Sequence, residues 1–217
     1  MMQFDQPVSE DHLLVRLMGH GLCLTPLSLF DASQVGDDSG SVDITLHSGA
    51  FARVLPAEGG YQSKIDPATT KTLRDVVHID MAEGVLKAGW KIQTSRFSCV
   101  WPPALKLRSN RYPSEPSPFD LFTDYGLLIY VQSPRVFPSL AAMAAPGQDT
   151  RRLVPDSPHP FVELTYQHQS VAWVQRHAVI NLGASKIILS AQFPASHEKT
   201  DLMLVLDVED SIQATAY

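Results

Sequence analysis

The sequence predicts an α+β protein in which an antiparallel β-sheet is flanked by helices. Three observations carry that expectation. Short runs of alternating apolar and polar residues recur along the chain, prolines and glycines separate them, and a helix-period stripe closes the sequence. Strands linked by short turns, with helices laid against them, give this class rather than a doubly wound parallel sheet.

Residues 12–30, HLLVRLMGHGLCLTPLSLF, are rich in leucine but broken by Gly19, Gly21 and Pro26, so strand and turn are predicted in place of a long helix. QVGDDSGS is a loop, and Val42 to Leu46 alternates cleanly before AFARVL, which predicts a β-hairpin. PAEGGYQSKIDP reads as a second loop. Asp66-Pro67 reads as a helix start, with Pro67 at the first helical position and the helix ending at Gly84 or Gly89.

Beyond Trp90 the texture changes to short strands and proline-rich turns. Phe97, Cys99 and Trp101 alternate with Ser98 and Val100 until Pro102-Pro103 stop the strand. YPSEPSP is a loop, GLLIYVQSP a buried strand, SLAAMAAPG one or two helical turns, and GQDTRRLVPDSPHP a loop. From Phe161, Val162, Leu164 and Tyr166 point one way and Glu163, Thr165 and Gln167 the other. A turn near Gln169-Ser170 leads to an antiparallel neighbour. The inward face of this pair reads as Tyr166, Val171, Trp173 and Val179, with His177 on the same alternation. KIILSAQFP is a further strand with Ile187, Leu189, Ala191 and Phe193 on one side. Ser196 is the expected N-cap of a closing helix, Glu198 lies in its first turn, and Leu202, Val205, Val208 and Ile212 form its apolar stripe. The change of texture divides the chain into 1–92, a strand-rich portion with one helix, and 93–217, an α/β domain; the first portion can equally be an extension of the second.

With 217 residues, 44% hydrophobic and 18% charged, the chain has the composition of a globular protein. A net charge of -6 with only 17 Lys and Arg argues against nucleic acid as a partner, since that affinity comes from cationic contacts to phosphate. Cys23 and Cys99 form no CxxC pair and read as reduced, buried thiols. MMQFDQPVSEDH lacks the basic start and apolar core of a secretory signal, so a cytoplasmic location is expected. No apolar run approaches the roughly 20 residues of a membrane-spanning helix.

Eight histidines offer no HExxH, no HxH and no cysteine partner at zinc-knuckle spacing. His168 and His177 could meet across the hairpin, with His159 as a third ligand, but solvent-facing strand histidines are the simpler reading. No GxSxG elbow, GxGxxG loop or Walker lysine is present, so no cofactor is expected. DDSGSVD lacks the alternating ligands and distal glutamate of a calcium loop. Asp207, Glu209 and Asp210 read as a solvated helix face. Trp101, Tyr112, Phe119, Tyr125 and Tyr130 cluster around a proline-rich loop, where aromatic residues often serve as interface anchors. Trp101 and Tyr130 fit core roles, which leaves Tyr112, Phe119 and Tyr125 as candidate partner-binding residues, Tyr125 being the best placed for exposure.

Three segments, RFSCVWPPALKL at 96–107, DLFTDYGLLIYVQSP at 120–134 and WVQRHAVINLGASKIILSAQFPASHEKTDL at 173–202, resemble the PsbP-like fold, an α/β/α sandwich. The likeness covers the second half of the chain. It implies binding rather than catalysis, because members of that fold serve as adaptors, assembly factors, chaperones and immunity proteins paired with secreted toxins. The expected function is therefore a non-enzymatic bacterial protein-binding module, an immunity protein or an adaptor or chaperone for a secreted toxin, whose partner is a toxin or secretion component. Two alternatives stand beside it: a hydrolase or metal-dependent enzyme using His168 and His177, and a homo-oligomeric structural subunit joined through a sheet edge.

Overall fold

In the computed structural model the described residues are 13–17, 20–24, 30–34, 42–46, 51–57, 60–65, 77–80, 90–94, 96–109, 117, 119–132, 138–183 and 185–214. Strands β1 (Leu13–Leu17) and β2 (His20–Leu24) are the expected strand-and-turn pair. They are followed by β3 (Phe30–Gln34), β4 (Val42–Leu46), β5 (Phe51–Ala57), β6 (Gly60–Ile65) and β7 (Val77–Asp80). The hairpin expected at 42–55 forms, with Val42 opposite Val54. Two readings are corrected here. Gly60–Ile65, expected in a loop, pairs along β5, and Val77–Asp80, expected within a helix, pairs with β2. The remainder of that expected helix lies outside the described residues.

The second half contains β8 (Trp90–Gln93), β9 (Phe97–Trp101), β10 (Lys106–Ser109), β11 (Phe119–Phe122) and β12 (Leu128–Gln132). A single 3-10 turn, Leu140–Met143, is capped by the Ser139 side chain. Then come β13 (Asp149–Val154), β14 (Phe161–His168), β15 (Val171–Asn181) and β16 (Lys186–Pro194). A 3-10 turn at Ala195–His197 leads into helix α1 (Glu198–Ser211), and β17 (Gln213–Ala214) ends the described chain. Asp149–Val154, expected in a loop, is instead an edge strand. Ser196 falls inside the 3-10 turn, so the helix N-cap is His197, which makes no side-chain cap bond.

All pairings are antiparallel, and the described strands form two sheets. One runs β17-β9-β8-β1-β2-β7 and the other β13-β14-β15-β16-β12-β11-β10-β3-β4-β5-β6. Strand β3 pairs with β10 across the expected boundary at residue 92, and β8, which spans that boundary, pairs with β1 on one side and β9 on the other. The described residues are thus mostly antiparallel sheet with a single C-terminal helix, where the sequence predicts a sheet flanked by more than one.

The core lies where α1 meets β9 of the first sheet and β15 and β16 of the second. Ile92, Phe97, Cys99 and Trp101 enter from one side, Leu107, Leu121, Ile129, Leu189 and Phe193 from the other, and Val205, Val208 and Ile212 from the helix. The alternation predicted for β9 is the burial pattern observed, whereas β16 is buried on both faces from Ile187 to Ala191, so its one-sided apolar row is corrected. Trp101 is fully buried, and its indole N–H donates to the Leu105 carbonyl at 2.7 Å, satisfying the one polar atom it brings inside. The C-terminal end of α1 is tied to β9 through Ser211, whose hydroxyl accepts from the Val100 N–H and donates to the Val208 carbonyl, both at 2.8 Å.

Candidate functional site

The β14–β15 hairpin decides what the histidines can do. It closes through Gln169 and Ser170, both with positive φ (48° and 65°), the two-residue turn whose twist matches that of its strands. The register sets His168 opposite Val171 and His177 opposite Val162. Six residues of β15 separate the two positions, about 20 Å at strand rise. The alternative in which His168 and His177 meet across the hairpin is therefore overturned. His168 is exposed near the tip and His177 is buried. His159 is half-buried in the loop before β14, and its Nδ1 has no hydrogen-bond partner among the described residues. No group of three or more His, Cys, Asp or Glu side chains placed to hold a metal occurs among the described residues.

His177 Nδ1 lies 2.8 Å from Ser190 Oγ on the facing strand, and burial holds the imidazole below the usual histidine range. Ser190 is fully buried. The pair is thus a satisfied hydrogen bond inside the sheet surface, closed to a substrate, rather than a nucleophile and its base.

The inward face expected for the hairpin is also corrected. Val171 is exposed, Trp173 and Val179 are half-buried, and the residues facing α1 are Val174, Arg176, Ala178 and Ile180. Arg176 is the exception in this apolar row. Its Nη1 donates to Glu163 Oε1 at 3.0 Å, and its Nε and Nη2 donate to the two carboxylate oxygens of Glu209 at 2.9 and 3.0 Å. The guanidinium also stacks over Phe161, 3.6 Å from the ring centroid. Small Ala191, directly opposite on β16, leaves room for it. Glu209, expected on a solvated face, is buried, whereas Asp207 and Asp210 are exposed as expected.

The other polar assembly stands at the turn joining β11 to β12. Thr123 closes the turn from both sides: its N–H donates to the Leu127 carbonyl at 2.9 Å, and its hydroxyl accepts from the Leu127 N–H at 3.1 Å. Gly126 is required here. Its φ is +119°, and a Cβ at this position would stand 2.9 Å from Cη2 of Trp173. At the tip is Tyr125, 47% exposed. Its ring stacks on His197 with centroids 4.6 Å apart, and its hydroxyl donates to Asp201 Oδ1 at 2.8 Å. Burial and the hydrogen bond to Asp201 raise the phenol above its ordinary range, so it stays neutral. Asp201 is fully buried, and its Oδ2 has no hydrogen-bond partner among the described residues. Beside the turn, Lys106 grips both oxygens of exposed Asp124.

Of the three aromatic residues predicted to bind a partner, Tyr125 is exposed at the turn. Phe119 is 1% exposed and packs against Phe97 with centroids 6.2 Å apart, so it belongs to the core. Tyr112 lies outside the described residues. Sequence reasoning missed Asp201 and His197 as supports of Tyr125. The available signal was spacing, because Asp201 stands four residues before Val205 and therefore on the helix's apolar stripe. Compared with protein-family models, with curated proteins and with solved structures, the chain shows no match. No helix among the described residues is long and apolar enough to cross a membrane.

Proposed function

We propose that this protein is a non-enzymatic binding module that recognises another protein carrying a basic patch, with Tyr125 as the central anchor. The observation that carries the reading is the way Tyr125 is held: nearly half exposed, yet fixed by a ring stack and a hydrogen bond. An exposed aromatic side chain already locked in one rotamer loses little entropy on binding, which is what makes tyrosine effective at interface centres. The chain's net charge of -6 favours a basic partner. A secreted toxin or secretion component of the bacterial host, blocked or escorted by this chain, has the chemistry expected.

The reading of residues 93–217 as PsbP-like, a fold whose members are adaptors and immunity proteins, rests on the sequence resemblance of residues 96–107, 120–134 and 173–202. Self-association through the β13 edge is less favoured. That edge carries exposed Arg151 and Arg152 and a register shift between Thr150 and Arg152, devices that blunt strand-to-strand pairing.

Affinity capture from host cells, using the wild-type chain and Tyr125→Ala as parallel baits, tests the proposal. A protein retained by the first and lost from the second is expected. Recovery that is equal on both baits, or absent from both, refutes it.

A further inference from the structure

We infer that the outer face of Tyr125 is a seat for a guanidinium group, an arginine side chain supplied by the partner. The inference rests on the binding reading above and names the chemistry of its central contact. One face of the ring is occupied by His197, and the residue is 47% exposed, so the opposite face is left to solvent. A planar guanidinium stacks on an aromatic face better than an ammonium does and sheds its hydration more readily.

The second observation lies behind the ring. Asp201 is fully buried and has no ion pair among the described residues; one carboxylate oxygen takes the Tyr125 hydroxyl and the other takes nothing. A phenol that donates to a carboxylate gains electron density, which makes the ring face more negative towards a cation. The uncompensated charge adds its own attraction through the low-dielectric edge of the core. Elsewhere the fold fills such seats from within: Arg108 lies over Phe122, and Arg152 and Arg176 lie over Phe161. Among the described residues no arginine is placed over Tyr125.

The test uses the full chain, an amide-detected NMR titration and two small probes, N-acetyl-arginine amide and its neutral isostere N-acetyl-citrulline amide. Saturable shifts centred on residues 123–127, the Trp173 indole and His197 are expected with the arginine probe, with the citrulline probe about tenfold weaker or absent. Tyr125→Leu should abolish the effect. Tyr125→Phe keeps the ring but loses the bond to Asp201, and Asp201→Asn removes the charge; each should weaken binding severalfold, the spectra themselves reporting that the fold is intact. Equal response to both probes, or shifts that persist in Tyr125→Leu, would overturn the seat. If the arginine probe binds at Tyr125 but no partner is captured through it, the seat stands and the partner reading falls. If a partner is captured through Tyr125 but arginine and citrulline do not differ, the partner reading stands and the seat falls.

Discussion

Replacing Arg176 by methionine removes the one cation from a buried group that holds two carboxylates. The side chains of Arg176, Glu163 and Glu209 are 5%, 9% and 3% exposed in their ion pairs, so solvent offers little compensation when the guanidinium is lost. Three hydrogen bonds disappear, and Glu163 and Glu209 are left buried without their counter-ion. Breaking a buried pair in this way costs about 3–5 kcal/mol. At roughly 2–4 °C per kcal/mol for a domain of this size, the melting temperature should fall by about 6–20 °C. The matched variant Arg176→Met, Glu163→Leu, Glu209→Leu removes all three charges and should return to within about 1 kcal/mol of wild type, because the desolvation cost goes with them. Guanidinium unfolding followed by tryptophan fluorescence and circular dichroism measures both. A single-variant loss below about 1 kcal/mol, the value of a solvent-exposed pair such as Lys106–Asp124, would refute the interior-charge argument.

Gly126→Ala combines a strained positive φ with a contact of 2.9 Å to Trp173, so a loss of about 2 kcal/mol and a shift in the Trp173 indole resonance are expected; an unchanged spectrum would contradict the close approach. Burial pushes the Cys99 thiol up to about 12, so the unfolded chain gives up this proton before the folded one does. Stability should therefore decline from about pH 9 to 12 by up to about 1.4 kcal/mol per pH unit, and Cys99→Ala should flatten that slope in denaturant titrations. His177 is shifted the other way: with its folded pKa depressed, the unfolded chain takes up the proton first. Its contribution is fully present above the ordinary histidine range and is lost as pH falls through about 6.5 towards the folded value; His177→Gln should lessen the acid-side decline. Gln169→Asn with Ser170→Gly suits the positive-φ turn better and should raise the unfolding free energy by about 1 kcal/mol, whereas a loss would mean that these side chains are needed at the hairpin tip.

Local patterning revealed most of the second half. Strands β9 and β12 and the stripe of α1 each follow from a period that one segment displays by itself. The inward face of the hairpin did not, because alternation gives two faces and says nothing about which is buried. Trp173, Val179 and Val171 made one face look apolar, while Arg176 made the other look wet. What inverts the choice is the pairing of Arg176 with Glu163 and with Glu209, 13 and 33 residues away in sequence, and no local window contains it. Strand β13 was missed for a related reason: an edge strand with a bulge and exposed arginines has no buried face to imprint an alternation. Phe119 was misplaced by its proline-rich surroundings. Its register opposite Ser109 on β10 brings it under Phe97.

Helix α1 buries two acidic residues, and their unequal treatment argues for a role for one of them. Glu209 receives a bidentate guanidinium, whereas Asp201, two turns earlier, receives only a phenol among the described residues and keeps an oxygen without a partner there. Position within the first turn of the helix favours a negative charge by about 0.3–1 kcal/mol, but leaving a buried acceptor unpaired costs about 1–3 kcal/mol, so the cost is the larger effect. For stability alone a neutral residue would serve better at 201. Asp201→Asn should therefore leave the unfolding free energy unchanged or raise it by about 1 kcal/mol, while lowering affinity for the arginine probe, the pattern of a residue retained for binding at the expense of stability. A variant that instead loses more than about 1 kcal/mol would make Asp201 a structural acid completed by its helix terminus, and the asymmetry with Glu209 would carry no functional meaning.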